Sequence, residues 1–305
     1  MEIQLDILES LGVAIIAYML GVFIKNRVNF FQKFFIPSPV IGGLIISLIN
    51  LIFNQSGLGF FKFDDVIQDF FMNIFFTSIG LACSFKVLKK SGWLGIKLAF
   101  AIILLLPLQN ILAVGLAKFM GINPLLGVAM GSTSMTGGIG SAISFGKIME
   151  NYGAANSTSI GVAAATFGIL IGSLVGGPVA SRLIRVHNLK STGGQIVNSN
   201  DKNINLINQK TLMDAIIIIA LASFLGTFIN RLLALTSLNF PYYVGCQFGG
   251  LVTRNILDLT KKDINTKSID TLGNISLSLF LSLALINLNI SAMLNLALPM
   301  LIIMV

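Results

Sequence analysis

The residues best suited to bind a small solute form a glycine-rich stretch near the middle of the 305-residue chain. Between two apolar runs, residues 131–141 read GSTSMTGGIGS, with four glycines and five hydroxyl side chains. Glycine disfavours a continuous helix. Non-helical backbone at membrane depth survives only where it is buried in protein or lines a wet cavity. The stretch therefore predicts a re-entrant hairpin over residues 124–148, in which two half-helices meet at an unwound tip.

The tip offers hydroxyls, free carbonyls and a half-helix N-terminus, which suit a small anion and a cation near the membrane midplane. Each arm has about 8 to 10 residues, too few to cross a hydrocarbon core of roughly 30 Å. A kinked packing helix or a loop outside the membrane is the plainer alternative. We favour the hairpin, and its predicted substrate-binding residues are Ser132, Thr133, Ser134, Thr136, Gly137, Gly138 and Gly140.

Composition places the chain in a membrane, because 55% of its residues are hydrophobic and only 10% are charged. The net charge of +8 lies in short loops and reflects membrane topology rather than nucleic-acid binding. Cys83 and Cys246 lie in apolar segments and are expected to pack rather than form a disulfide. The single histidine, His187, leaves little for metal binding or catalysis, so we expect neither an enzyme nor a cofactor.

Apolar runs predict an all-α protein with about nine spans, arranged as two five-span repeats of which the second is incomplete. Residues 1–184 form the first repeat with the hairpin, 185–210 a cytoplasmic linker, and 211–305 the second repeat. The predicted spans cover about 7–24, 34–53, 70–85, 93–116, 158–183, 212–233, 241–257 and 272–286, with a last span from 292.

Lysine and arginine follow the first, third and fifth spans, which places those ends in the cytoplasm and the acidic N-terminus outside. This orientation holds only if the hairpin enters and leaves on one side. With five spans in the first half, the second half begins inside and is inverted.

Two short matches relate the halves. Pro37 matches Pro241 at an offset of 241 − 37 = 204, and Asn73 matches Asn274 at 274 − 73 = 201. Inverted repeats are typical of secondary transporters. At this offset the second half should continue for about a hundred further residues, including a second hairpin. We therefore expect a truncated or partial chain.

No acid or base lies in the middle of a predicted span, so a bound cation would need neutral oxygen ligands. The candidate sodium ligands, with Gln109 beside them, are Asn73, Asn110, Thr166 and Asn274. The alternative for each asparagine is a hydrogen bond between helices that fixes packing.

Several stretches resemble the bacterial sodium/glutamate symporter family. They are Ile36–Leu44 (IPSPVIGGL), Phe75–Leu81 (FFTSIGL), Gln109–Asn110, Asn123–Gly140 (NPLLGVAMGSTSMTGGIG), Ala165–Gly168 (ATFG), Gly176–Ala180 (GGPVA) and Leu272–Ala284 (LGNISLSLFLSLA). The resemblance implies a homodimer in the bacterial inner membrane. It also implies inverted repeats that each carry a hairpin, and sodium-driven glutamate uptake with a moving transport domain.

One position departs from the family pattern, since Gly-Gly-His-Gly is replaced by Gly137-Gly138-Ile139-Gly140. Isoleucine's side chain donates no hydrogen bond, which leaves open a transporter of the same fold for a dicarboxylate or another acidic amino acid. An inactive fragment is a further alternative. An ion channel is less favoured, because charged rings and a filter-like sequence are absent from the sequence.

Overall fold

The computed structural model describes residues 2–33, 36–57, 59–188, 207–236, 240–260, 262, 264–291 and 296–304. The described part is almost entirely helical, as predicted. Five of its helices are long and apolar enough to cross a membrane, and α4, defined below, is a shorter apolar helix. The predicted linker falls largely outside the described residues, as do Phe34, Phe35 and residues 292–295 of the second and last predicted spans.

Thirteen helices are present in the described residues. They are α1 (Ile7–Arg27), α2 (Asn29–Lys33), α3 (Ser38–Gln55), α4 (Val66–Ala82), α5 (Phe85–Phe119), α6 (Pro124–Met130), α7 (Ser132–Met135), α8 (Gly138–Asn151), α9 (Ser157–Val186), α10 (Gln209–Leu233), α11 (Tyr242–Leu259), α12 (Thr266–Ile286) and α13 (Ala297–Met304). Two short strands, β1 (Glu2–Gln4) and β2 (Phe60–Lys62), pair in parallel.

Helix boundaries differ from the predicted ones where local hydrogen bonds decide them. α4 begins at Val66, because the Asp64 carboxylate accepts the Val66 N–H at 2.7 Å. Asp69 therefore lies in the first turn of α4, whereas the predicted third span began at about residue 70. α5 is bent at Gly92, whose φ of 55° and ψ of −152° are not helical. The apolar segment that follows this bend, Ser91–Phe119, corresponds to the predicted fourth span.

Helices in the two halves of the chain begin with similar caps. α1 and α10 each start at a capping box, formed by Asp6 with Glu9 and by Asn208 with Thr211. The residue before α3 and the residue before α11 are both prolines in an extended conformation, Pro37 and Pro241. Proline stops the preceding segment and fixes φ for the helix that follows. The caps of α1 and α3 in the first half therefore match those of α10 and α11 in the second half.

Six helices pack into one group, which we call the central group: α1, α3, α4, α10, α11 and α12. α4 and α12 lie against each other at its centre. α10 and α11 pack on α4, while α1 and α3 pack on α12. The remaining long helices, α5 and α9, enclose α6, α7 and α8, and this hairpin group contacts the central group through α8.

Glycines allow the backbones of the central group to approach closely. A Cβ on Gly80 of α4 would overlap the carbonyl oxygen of Gln247 on α11, and one on Gly250 would overlap that of Thr77. A Cβ on Gly42 of α3 would overlap the Ala17 carbonyl oxygen of α1. Small residues at such contacts are the usual basis of tight helix packing in membranes, where the hydrophobic effect does not drive helices together.

The two ends of the molecule carry different sets of charged residues. The Asp64 N–H donates to Ser10 Oγ at 2.9 Å, so α1 and α4 begin together at what we call the acidic end. α12 ends there, because Asn287 Nδ2 donates to Asp65 Oδ1 at 3.3 Å, and α9 begins there, because the N–H of Asn289 donates to Ser159 Oγ at 3.0 Å. The basic residues at or just beyond the other ends of these three helices define the basic end: Lys25, Arg27, Lys86, Lys89, Arg182 and Arg185.

The glycine contacts yield a stability prediction. Gly42→Ala should destabilise the protein by about 1–3 kcal/mol, since the added methyl forces α1 and α3 apart. Gly12→Ala in α1 is the matched control, because a Cβ there has nothing within 4 Å. Thermal unfolding of the detergent-solubilised protein should show a lower midpoint for Gly42→Ala only. Equal midpoints for the two variants would contradict the close approach of α1 and α3.

Candidate functional site

The segment predicted as a hairpin contains α6, α7 and α8, and the start of α6 lies beside the end of α8. Asn123 Nδ2, at the start of α6, donates to the Gly153 carbonyl, just beyond the end of α8, at 3.4 Å. Asn123 also caps α6, since its side chain accepts the Leu125 N–H at 3.0 Å. The chain thus enters and leaves this unit at the acidic end, where α9 begins.

Two glycines interrupt the helical path at the tip. Gly131 separates α6 from α7 with a ψ of −131°, and Gly138 opens α8 with a φ of +75°. The second value lies in the left-handed region, which L side chains rarely adopt. The glycines that the sequence singled out therefore sit where the backbone turns.

Side chains of α5 hold the tip in place. Asn110 Oδ1 accepts the Ser132 N–H at 3.1 Å, and Gln109 Oε1 accepts the Thr136 hydroxyl at 2.7 Å. The amide of Asn110 thus replaces a helical hydrogen bond that the break at Gly131 removes. Asn110 was predicted as a sodium ligand, and in this structure its oxygen positions the tip.

The tip hydroxyls face different surroundings. Ser134 is buried, and its hydroxyl contacts the carbonyls of Ala129 and Gly161, the second at 2.7 Å. This side chain ties the tip to α9. Thr136 and Gly137 are exposed, whereas the other predicted substrate-binding residues of the tip are half-buried: Ser132, Thr133, Gly138 and Gly140.

One side of α8 packs against the central group. A Cβ on Gly140 would lie 3.0 Å from the Phe76 ring of α4. Ile139 is buried in an apolar cluster that includes Phe76, Phe280 of α12 and Val162 of α9. The position that carries histidine in the family pattern therefore lies in the apolar contact between hairpin and central group. An uncharged, branched side chain suits this environment.

The other predicted sodium ligands are spread over three helices. Asn73 Oδ1 is buried in α4 and has no hydrogen-bond partner among the described residues. Thr166 of α9 is half-buried, and its hydroxyl donates to the Val162 carbonyl at 2.9 Å. Asn274 of α12 is exposed in a groove beside Tyr18 of α1. The structure therefore places Asn110 at the tip and Asn274 in that separate groove.

Ligand chemistry also favours neutral oxygens. Among the described residues, no group of three or more histidines, cysteines or carboxylates is placed to hold a metal ion. A buried amide oxygen without a donor, such as Asn73 Oδ1, is costly in an apolar interior unless something compensates it. A monovalent cation would supply that compensation.

Contacts between the hairpin and the central group were not foreseen from the sequence. The Tyr243 ring of α11 stacks on Phe76 with centroids 3.8 Å apart, and it belongs to the same apolar cluster as Ile139 of α8. Lys147 of α8 forms an ion pair with Asp69 of α4 at 3.0 Å. The charges of Lys147 and Asp69 were visible in the sequence, but their separation of 78 positions gave no sign of contact.

Comparisons with known proteins relate the chain to one family of membrane transporters. The sequence model of the family described as "Sodium/glutamate symporter" matches residues 3–305. The sodium/glutamate symporter of Escherichia coli (strain K12) is 34% identical over 310 residues, covering 99% of this chain and 77% of that protein. That of Haemophilus influenzae is 32% identical over 308 residues, covering 97% of this chain and 76% of that protein. No solved structure matches the chain.

The family match extends over nearly the whole chain, and the alignment with the Escherichia coli relative covers 99% of it. This helical, multi-pass membrane protein belongs to the sodium/glutamate symporter family.

Proposed function

We propose that the chain is a sodium-coupled symporter that takes up glutamate across the bacterial inner membrane. The observation that carries this proposal is the family match over residues 3–305, which includes the glycine-rich tip. Both curated relatives described above are named sodium/glutamate symporters. The family is one of transporters rather than enzymes. Coupling arises if sodium and glutamate each favour the same closed, occupied site.

The hairpin of α6, α7 and α8 is, in this proposal, re-entrant. Its support is the hydrogen bond between Asn123 and Gly153, which brings both open ends to one side. α6 has seven residues and spans about 10 Å, well short of a membrane core. The tip then lies at depth between α5 and α9, where protein surrounds its irregular backbone.

The two halves of the chain are proposed as inverted repeats, residues 1–184 and 211–305, with residues 185–210 as a cytoplasmic linker. The support is the recurrence of helix caps at Asp6 and Asn208 and at Pro37 and Pro241. Packing adds to it, because exchanging α1 with α10, α3 with α11 and α4 with α12 leaves the pattern of packed pairs unchanged. A two-fold relation between the halves would have this result.

The acidic end is proposed to face outwards and the basic end the cytoplasm, so that the N-terminus is outside. The basic residues after α1, α4 and α9 lie at one end of the molecule, as the positive-inside rule requires. The long exposed apolar surface of α5 suits contact with lipid or with a second copy in a homodimer. The homodimer itself rests on the family resemblance.

Glutamate is proposed to bind at the tip, with its carboxylates near exposed or half-buried groups of Ser132, Thr133, Thr136, Gly137, Gly138 and Gly140. Ser134 supports the tip from behind through the carbonyls of Ala129 and Gly161. Sodium is proposed to bind at neutral oxygens among Asn73, Asn110, Thr166 and Asn274. Of these, Asn73 has the strongest support, because its buried oxygen has no donor among the described residues.

A transporter of the same fold for another small anion, such as a dicarboxylate, is the second candidate. The observation that favours it is Ile139, since its buried apolar side chain stands where the family pattern has histidine. Competition by dicarboxylates in the uptake assay below separates the two candidates.

The proposed function predicts sodium-dependent accumulation. Proteoliposomes that contain the chain should take up radiolabelled glutamate when sodium is high outside, and not when potassium replaces it. Protein-free liposomes are the control. Uptake that is independent of sodium would refute the coupling, and uptake of dicarboxylates but not of glutamate would select the second candidate.

The tip geometry predicts a strong effect of Gly138→Ala. The new Cβ has nothing within 4 Å, so the substitution acts through the positive φ, at a cost of about 1–2 kcal/mol. The tip should change shape, and glutamate affinity should fall roughly tenfold. Gly115→Ala in α5 is the matched control, because it also meets nothing within 4 Å at an ordinary φ. Equal uptake by both variants would remove Gly138 from the site.

Replacement of Asn73 distinguishes a sodium ligand from a packing hydrogen bond. Asn73→Leu removes a buried oxygen that has no hydrogen-bond donor among the described residues. The free energy of unfolding in the absence of sodium should therefore be unchanged or slightly higher. The sodium concentration for half-maximal uptake should rise roughly tenfold. Asn274→Leu, at an exposed position, is the comparison. A destabilised protein with an unchanged sodium requirement would identify Asn73 as a packing residue.

A further inference from the structure

The ion pair between hairpin and central group has a second carboxylate within reach. Lys147 Nζ lies 3.0 Å from Asp69 Oδ1, and both side chains are partly exposed. Asp65 precedes α4 by one residue and Asp69 by four, so the two carboxylates lie one helical turn apart on neighbouring parts of the same face. Lys147 also interacts electrostatically with Asp65.

The contact between α8 and α4 has a regular register. Gly140 faces Phe76, Ser144 Oγ lies 3.1 Å from the Met72 sulfur, and Lys147 pairs with Asp69. From Gly140 to Ser144 to Lys147 the residue number rises by four and then three. The residue numbers of their partners on α4 fall by four and then three, so the two helices pack antiparallel.

A shift of α8 by one turn towards the acidic end preserves this register. The displacement is about 5.4 Å, the pitch of a helix. Lys147 would then face Asp65, and Gly140 would face Met72 in place of Ser144. Gly140 and Ser144, which contact Phe76 and Met72 directly, are small. Ile139 and Ile143 of α8 are buried in the same apolar cluster and would have to repack as the helix moves.

Charges of both signs surround the Asp65 carboxylate. Partial burial raises the pKa of Asp65, the charge of Lys147 lowers it, the nearby carboxylates of Asp69 and Asp64 raise it, and the charge of Lys62 lowers it. Its hydrogen bond from Asn287 Nδ2 is long, at 3.3 Å. An approaching ammonium group would relieve both the repulsion and the lost hydration.

We propose that Lys147 exchanges its ion pair between Asp69 and Asp65 when the hairpin group moves by one turn along α4, so that these residues set two positions of the hairpin. Because Lys147 has a carboxylate partner at both positions of the hairpin group, neither position loses the ion pair. The free-energy difference between the two positions stays small. One-turn shifts of one packed element past another are a known form of switching. The inference rests on the proposed transport function, because it assigns the movement to the transport cycle.

Cross-linking tests the two positions directly. In a Cys83→Ser background, which leaves only the buried Cys246, cysteines replace Lys147 together with either Asp69 or Asp65. A short bifunctional thiol reagent should join both pairs in lipid vesicles. Sodium with glutamate should change the two yields in opposite directions. The control pair is Asp64 with Lys147, since the Asp64 carboxylate accepts the Val66 N–H and its backbone N–H donates to Ser10 of α1.

The cross-linking result separates failure of this inference from failure of the proposed function. An Asp65 pair that joins no better than the Asp64 control in any condition would overturn the exchange. The parent chain's lack of sodium-driven glutamate uptake would refute the proposed function, while joining of both pairs above the control would still support two hairpin positions.

Charge exchange gives a second test that a static ion pair would fail. Reversing the pair with Asp69→Lys and Lys147→Asp restores one ion pair but leaves two like charges when the new carboxylate would meet Asp65. We expect normal thermal stability with uptake about two- to fivefold slower at saturating glutamate. Adding Asp65→Lys should restore the rate. Full uptake by the double variant, or no recovery in the triple variant, would contradict the exchange.

Discussion

Every backbone polar group at membrane depth needs a partner within the protein, and the structure of the hairpin depends on this constraint. Breaking the helix at Gly131 and Gly138 leaves amides and carbonyls without their usual partners. Asn110 and Ser134 supply some of those partners from neighbouring segments. Non-helical backbone at this tip can also offer polar groups to a solute, as the proposed function requires. In that proposal the shape of the tip and its binding capacity have one cause.

Close approach of glycine backbones holds the helices of the central group at a fixed spacing. Where Gly80 and Gly250 bring α4 and α11 together, backbone meets backbone and leaves no room for a side chain between them. The contact of α8 with α4 is different, because Gly140, Ser144 and Ile139 of α8 meet side chains rather than backbone. A backbone contact on one face of α4 and a side-chain contact on another is the arrangement that the proposed movement of the hairpin group requires.

Much of the fold followed from apolar periodicity and cap residues. Spans over 7–24, 212–233 and 241–257 lie close to α1, α10 and α11, since long apolar runs leave a membrane helix few alternatives. The predicted start of α4 was about four residues late, because the polar residues before residue 70 suggested a loop. In the structure the Asp64 carboxylate accepts the Val66 N–H, and the helix begins there. At the site, the glycines predicted the breaks in the helix. The direction of each hydroxyl depends on tertiary contacts that no local pattern contains, and Ser134 shows this most clearly.

Ile139 stands where the family pattern has histidine, and its surroundings change the interpretation of that difference. From the sequence, loss of a hydrogen-bonding side chain at the tip raised a question about the substrate. In the structure this side chain lies in the apolar contact with Phe76 and Phe280, where the hairpin meets the central group. A histidine there would need a buried partner, whereas isoleucine needs only room and apolar neighbours. The substitution therefore bears first on how the hairpin packs against α4 and α12, and on the substrate only through that contact.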